Sequence, residues 1–312
     1  MRPNIAMFVT GQKHNERMNE HDLKTGIEKG DYRVLARALT YVENAMPPAA
    51  ALLAELHIRA EVPVIGITGP PGAGKSTLVN ALVTLLADDG KKIAILAVDP
   101  TSPFNFGSLL GDRIRMATHF NRSNVFIRSV ATRGALGGIS AKTLEMCDVF
   151  RASDFDLILV ETVGVGQSEV EIAGLADKTV VVLVPEAGDE IQHIKSGLME
   201  IADAFVVNKA DREGAQAFAN KLQKLIRQQH QQLPVFKTVA EKQEGIMPLL
   251  DWILKTEARS TSRQVQLLAD KAFRLIQHRR MQDIDRGELG QQLATAMVQP
   301  GFNLYRFVAD FT

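Results

Sequence analysis

The chain has 312 residues, 46% of them apolar, with 36 basic side chains set against 36 acidic ones. That length allows one large domain with extensions or two domains, and zero net charge excludes a global field drawing the chain to nucleic acid or to an anionic membrane. Cys147 is the single cysteine, which excludes an internal disulfide framework and a cysteine-rich metal cage and suits a reducing cytoplasm.

In chain order, the apolar run Ile5-Ala6-Met7-Phe8-Val9 is too short for a signal peptide and leads into Gln12-Lys13-His14-Asn15-Glu16-Arg17, so residues 1–17 are expected to form a loose tail. From 19 to about 60 the pattern is helical, with Val34, Leu35, Ala38, Leu39 and Val42 at helical spacing and Pro47-Pro48 as an interruption. Strands are expected at 64–68, 93–99, 125–130, 157–162, 179–185, 204–208 and 235–239, with helices at 77–86, 139–152, 191–202 and 214–231 between most of them. Such alternation predicts a mostly parallel sheet covered on both faces. The most apolar run, 180–184, has the length of a strand and not of a membrane span. Helical patterning returns from 246 to the end, with Val265, Leu268, Phe273 and Ile276 expected as a buried stripe. The expected division is 1–60 as tail and helical extension, 61–255 as the main domain and 256–312 as a C-terminal helical arm.

Gly69-Pro70-Pro71-Gly72-Ala73-Gly74-Lys75-Ser76, followed by Thr77, stands between the first expected strand and a helix. Strand, loop and helix together are the phosphate-binding unit of an α/β P-loop NTPase, and that context makes the signal specific. Glycines let successive N–H groups turn inward around phosphate oxygens, and the helix N-terminus adds partial positive charge. Lys75 would reach the β and γ phosphates, while the Ser76 hydroxyl would ligate Mg²⁺.

Beyond the strand at 204–208 comes Asn208-Lys209-Ala210-Asp211. An aspartate there can accept from the ring N–H and exocyclic amine of guanine, whereas adenine would leave the carboxylate desolvated and unpaired. The Lys209 stem would lie on the base and Asn208 would tie this strand end to the phosphate loop. Four polar residues after a strand are a weak signal alone and a strong one after a phosphate loop.

Carboxylates at strand ends beside the phosphates usually hold Mg²⁺, directly or through water. Asp99 closes the strand at 93–99, and the turn-rich segment after it runs to Gly111-Asp112-Arg113. Glu161 opens Glu161-Thr162-Val163-Gly164-Val165-Gly166-Gln167, where Gly164 would let a backbone N–H meet the γ-phosphate, so that hydrolysis releases the loop.

Residues 69–77, Val98-Asp99-Pro100-Thr101-Ser102-Pro103, Gly111-Asp112-Arg113-Ile114-Arg115-Met116, Arg133-Gly134-Ala135-Leu136-Gly137-Gly138, 161–169 and 208–211 together resemble the MeaB/ArgK GTPases over roughly residues 20–255. Those proteins are chaperones of cobalamin-dependent methylmalonyl-CoA mutase. The glutamate-first motif at Glu161 separates them from Ras-like proteins. The resemblance implies a G domain of the SIMIBI type, a homodimer joined through C-terminal helices, and slow GTP hydrolysis to GDP accelerated by the mutase. It also implies that the GTP state gates delivery of adenosylcobalamin and protects the mutase, and that Ser76, Asp99, Asp112 and Glu161 are the metal positions. A third switch is matched by Gly188-Asp189-Glu190-Ile191-Gln192-His193-Ile194-Lys195-Ser196-Gly197, in which Gln192 or Lys195 would swing toward the nucleotide and join Lys75 and Glu161 in catalysis. The chain departs from the family at the triplet that supports guanine: Val239-Ala240-Glu241 replaces the usual Ser-Ala-Leu. Ala240 would still offer a backbone N–H.

Two other classes fit the sequence less well. A nickel-insertion GTPase needs Cys/His clusters, which one cysteine and seven scattered histidines do not supply. A P-loop small-molecule kinase would leave residues 208–211 without a role.

Overall fold

The structure, a computed structural model, describes residues 18–99, 116–131, 141–162, 172–186, 197–229, 232–255, 261–281 and 283–309. Seven strands form one sheet: β1 (Val64–Thr68), β2 (Ile93–Asp99), β3 (Val125–Ala131), β4 (Leu157–Thr162), β5 (Lys178–Leu183), β6 (Ala204–Val207) and β7 (Val235–Lys237). Their order is β3-β2-β4-β1-β5-β6-β7, and every pairing is parallel. All of β1 and β4 is buried, as near-continuous apolar strands of a parallel sheet require. β1 lies between β4 and β5, so the crevice beyond its carboxyl end is where a doubly wound sheet holds a ligand.

Helices cover both faces. On one face Val64, Ala94, Leu96, Val98, Ile158 and Val160 share a core with α1 (Glu20–Glu28), α2 (Tyr32–Glu43), α3 (Ala49–Glu55) and α5 (Ala141–Arg151). On the other, Ile65, Ile67, Ile95, Leu159, Val180 and Val182 pack against α4 (Lys75–Asp88) and α7 (Ile246–Leu254). α6 (Ala215–Gln228) buries Phe218 and Leu222 over Val181, Phe205 and Val207. The N-terminal helices are therefore built into the sheet's own core. Asn19 and Asp31 cap α1 and α2 through their side chains, fixing where each begins. An edge-to-face and stacked group of Tyr32, Phe126, Phe150 and Phe155 ties α2 to β3 and α5. Burial, with Asp154 nearby, pushes the Tyr32 hydroxyl up to about 12, so it stays neutral.

Element bounds shift modestly from the sequence expectation. The helix after the phosphate loop starts at Lys75, and the last strand ends at Lys237 because the chain then turns back through Val239 and Glu244. Of the helix expected at 191–202, the described part is the single turn Met199–Ile201. The C-terminal region divides into α7, α8 (Thr261–Arg280), α9 (Arg286–Met297) and α10 (Leu304–Ala309).

One expectation is overturned. Val265, Leu268, Phe273 and Ile276 are 54–68% exposed, not buried. α8 meets the body at α5 and at the turn Ile172–Gly174, and its apolar stripe does not join the sheet core. A groove of about 700 Å³ is lined by Met46, Pro47, Leu53, Lys142 and Ile276 among others, and no residue of the phosphate loop borders it. No helix among the described residues is long and apolar enough to cross a membrane.

Leu39 is fully buried between α2 and the sheet. Leu39→Ala is expected to remove about 2–5 kcal/mol of stability and to lower a single calorimetric transition. A separate transition below an unchanged main peak would show instead that α1–α3 fold on their own.

Candidate nucleotide site

The phosphate loop joins β1 to α4 and is shaped by its glycines. Gly69 has φ 138°, and a Cβ there would lie 2.1 Å from the Val182 carbonyl oxygen of β5, so no side chain fits. Gly74, at φ 85°, starts α4 and passes the Asn208 side chain so closely that a Cβ would sit 2.4 Å from Nδ2. Lys75 is 6% exposed, and its Nζ donates to the Gly69 and Pro70 carbonyls at 2.8 and 3.0 Å. Its ammonium is thus held against the loop that would wrap the phosphates. Pro70, Pro71, Gly72 and Ala73 complete that loop, and Thr77 follows in the first turn of α4.

Ser76 and Glu161 meet beside it. The Ser76 hydroxyl donates to Glu161 Oε1 at 2.6 Å, with both residues 6% exposed, a short charge-assisted bond. Glu161 is in register with Ile67 of β1 and Ala97 of β2, and Asp99 lies two residues further along β2, at the same end of the sheet. A hydroxyl and a carboxylate are hard oxygen donors, which suits Mg²⁺ with the remainder of its shell left to phosphates and water. Among the described residues, no group of three or more His, Cys, Asp or Glu forms a metal cage of its own. The Asp99 side chain and all of Asp112, Gln192 and Lys195 lie outside the described residues, as do Gly164 and Gln167.

The base motif follows β6. Asn208 is 2% exposed, and its side chain reaches three ways. Nδ2 donates to the Ala73 carbonyl at 3.0 Å, while Oδ1 accepts from Thr238 Oγ1 at 3.0 Å and from the Ala240 N–H at 3.2 Å. Lys209 adopts a left-handed backbone (φ 54°) and donates from Nζ to the Gly72 carbonyl at 2.8 Å, laying its stem alongside the phosphate loop. Asp211 is half-exposed and accepts from Lys242 Nζ at 3.1 Å, and that hydrogen bond foremost holds its carboxyl below the ordinary carboxylate range. Val239, Ala240 and Glu241 form the turn after β7, closed by two backbone bonds between Val239 and Glu244 at 3.0 and 3.2 Å.

Phosphate loop, candidate metal pair and base motif thus come together at the carboxyl ends of β1, β4 and β6. Two contributors escaped the sequence reading, Thr238 and Lys242. Thr238 directly precedes the replaced triplet, but its role depends on β7 approaching Asn208, which spacing alone does not reveal.

This doubly wound sheet, with a glycine-built loop after β1 fastened to a guanine-type motif after β6, defines a P-loop nucleotide-binding protein. The family described as Methylmalonyl Co-A mutase-associated GTPase MeaB matches residues 35–294, and the chain belongs to this family of GTPases. A relative in Pyrococcus abyssi, named only provisionally as a GTPase, is 47% identical over 235 residues, 73% of this chain and 72% of its own length. GTPase ArgK of Escherichia coli K12 is 42% identical over 203 residues, 62% of this chain and 61% of that protein. A crystal structure described as LAO/AO transport system kinase superposes with a TM-score of 0.64 at 25% identity, over 94% of this chain and 96% of that one.

Asn208→Ala strips the Ala73 carbonyl, the Thr238 hydroxyl and the Ala240 N–H of a buried partner. It is expected to lower stability by about 1–3 kcal/mol or more and to weaken a fluorescent guanine nucleotide at least about tenfold in titration. Unchanged affinity would show that the two motifs work without this tie.

Proposed function

We propose that the chain is a Mg²⁺-dependent GTPase switch that gates adenosylcobalamin loading and protection of a methylmalonyl-CoA mutase-type enzyme. The observation that carries the nucleotide part is the Asn208 side chain, bonded at once to the phosphate loop and to the turn after β7. One nucleotide would be gripped at both ends, with Asp211 reading the guanine edge, Lys209 flanking the base, and the phosphates lying on 69–77. Lys75 would leave the Gly69 and Pro70 carbonyls for the β and γ phosphates, exchanging neutral acceptors for charged ones. Ser76, Glu161, Asp99 and Asp112 are the residues that would hold Mg²⁺. When bound, that ion would neutralise charge between the β and γ phosphates. Glu161 orients the Ser76 hydroxyl, and Gln192 or Lys195 would add a donor near the transferred phosphoryl group when a partner docks. Water is the nucleophile, and the protein contributes position and electrostatics.

The family name, with its reference to a mutase, supports the partner. The exposed apolar stripe of α8, together with exposed Met297, Val298 and Tyr305 further along the C-terminal helices, supports a homodimer formed through those helices. A cytoplasmic location accords with the single cysteine.

Asp211→Asn is expected to weaken GTP about 10–100-fold while improving xanthosine triphosphate, and Lys75→Ala to abolish tight binding of both. Equal losses for the two nucleotides would refute base reading by Asp211. Phosphate release measured with and without purified mutase tests the partner: stimulation supports it, and an unchanged rate with no association on a sizing column contradicts it.

A further inference from the structure

Lys242 belongs to none of the nucleotide motifs, yet its ammonium rests on the one carboxylate those motifs aim at the base. Nζ lies 3.1 Å from Asp211 Oδ2. Lys242 ends the turn Ala240–Lys242, which is held from three directions. Ala240 N–H bonds Asn208, the Val239–Glu244 pair closes the loop, and Gln243 reverses the chain at φ 56°. The segment after β6 and the turn after β7 are joined by Asn208 to Thr238 and to Ala240, by the Ala210 N–H to the Thr238 carbonyl at 3.0 Å, and by Asp211 to Lys242. Of these, the bond to Lys242 passes through the group that would read the base.

Arg212, though adjacent to Asp211, bonds Glu186 instead, and among the described residues Lys242 is the cation that bonds the Asp211 carboxylate. The side chains of Lys242 and Asp211 are 57% and 43% exposed, and a pair so exposed contributes little to folding. Its consequence falls on the carboxylate. An ionised carboxylate offers about four acceptor positions, so one ammonium N–H leaves room for the ring N–H and exocyclic amine of guanine.

We infer that Lys242 is a positioning residue for base recognition, holding the Asp211 carboxylate in a single orientation so that guanine meets a prepared acceptor. This rests on the guanine reading of Asp211 given above. The free energy of ordering the carboxylate is then met by the protein before the ligand arrives, which favours binding. In support, the Lys242 bond is the foremost cause holding the Asp211 carboxyl below the ordinary carboxylate range.

The test is a double-mutant cycle by titration calorimetry on the full chain with GDP, using wild type, Lys242→Met, Asp211→Asn and the double variant. Lys242→Met is expected to weaken GDP about two- to five-fold, with an unchanged melting temperature and restoration by Lys242→Arg. In the Asp211→Asn background the same change should have no effect. If Lys242→Met leaves GDP affinity unchanged, tightens it, or weakens it equally in both backgrounds, the positioning role is wrong while the Asp211 assignment stands. If Asp211→Asn itself leaves GDP affinity unchanged, the guanine reading falls and this inference with it.

Discussion

Everything in the site depends on one buried amide that cannot be satisfied locally. Asn208 sits at 2% exposure at the end of β6, where an unpaired amide would be costly. It finds its partners on two other segments, the phosphate loop through Ala73 and the turn after β7 through Thr238 and Ala240. Because these bonds are buried, they hold the loop that would grip the phosphates at a set distance from the carboxylate that would read the base. Gly74 is part of the same constraint, since any side chain there would displace the Asn208 amide.

The sheet explains why these segments can meet. Parallel strands place all their carboxyl ends on one side, so loops distant in sequence converge: β1 leads to the phosphate loop, β4 carries Glu161 next to its last residue, and β6 leads directly into Asn208. The N-terminal helices contribute by closing one sheet face with Leu35, Leu39 and Val42, so β1 and β2 are buried on both sides. The C-terminal helices do the opposite and leave apolar side chains in water.

Much of this was legible in the sequence because the decisive signals are local. Gly69 to Thr77 between a strand and a helix, alternation of strands and helices from 64 to 239, and the motif at 208–211 are patterns of spacing, and in the described residues the loop follows β1 and runs into α4, the seven strands are parallel, and the base motif follows β6. The stripe at Val265, Leu268, Phe273 and Ile276 misled because helical periodicity reports that a face is apolar, not which surface it meets. Thr238 and Lys242 were invisible for a related reason. Their partners, Asn208 and Asp211, lie about thirty residues away and are reached only once β7 pairs with β6.

A phosphate loop and a guanine-reading edge joined through Asn208 are expected to bind as one site. Calorimetric titration of the wild-type chain with GDP and with ADP, each in Mg²⁺ buffer, tests it most directly. Saturable heat is expected with GDP and none with ADP at the same concentrations. Equal heats for the two nucleotides, or no heat with GDP, would contradict it.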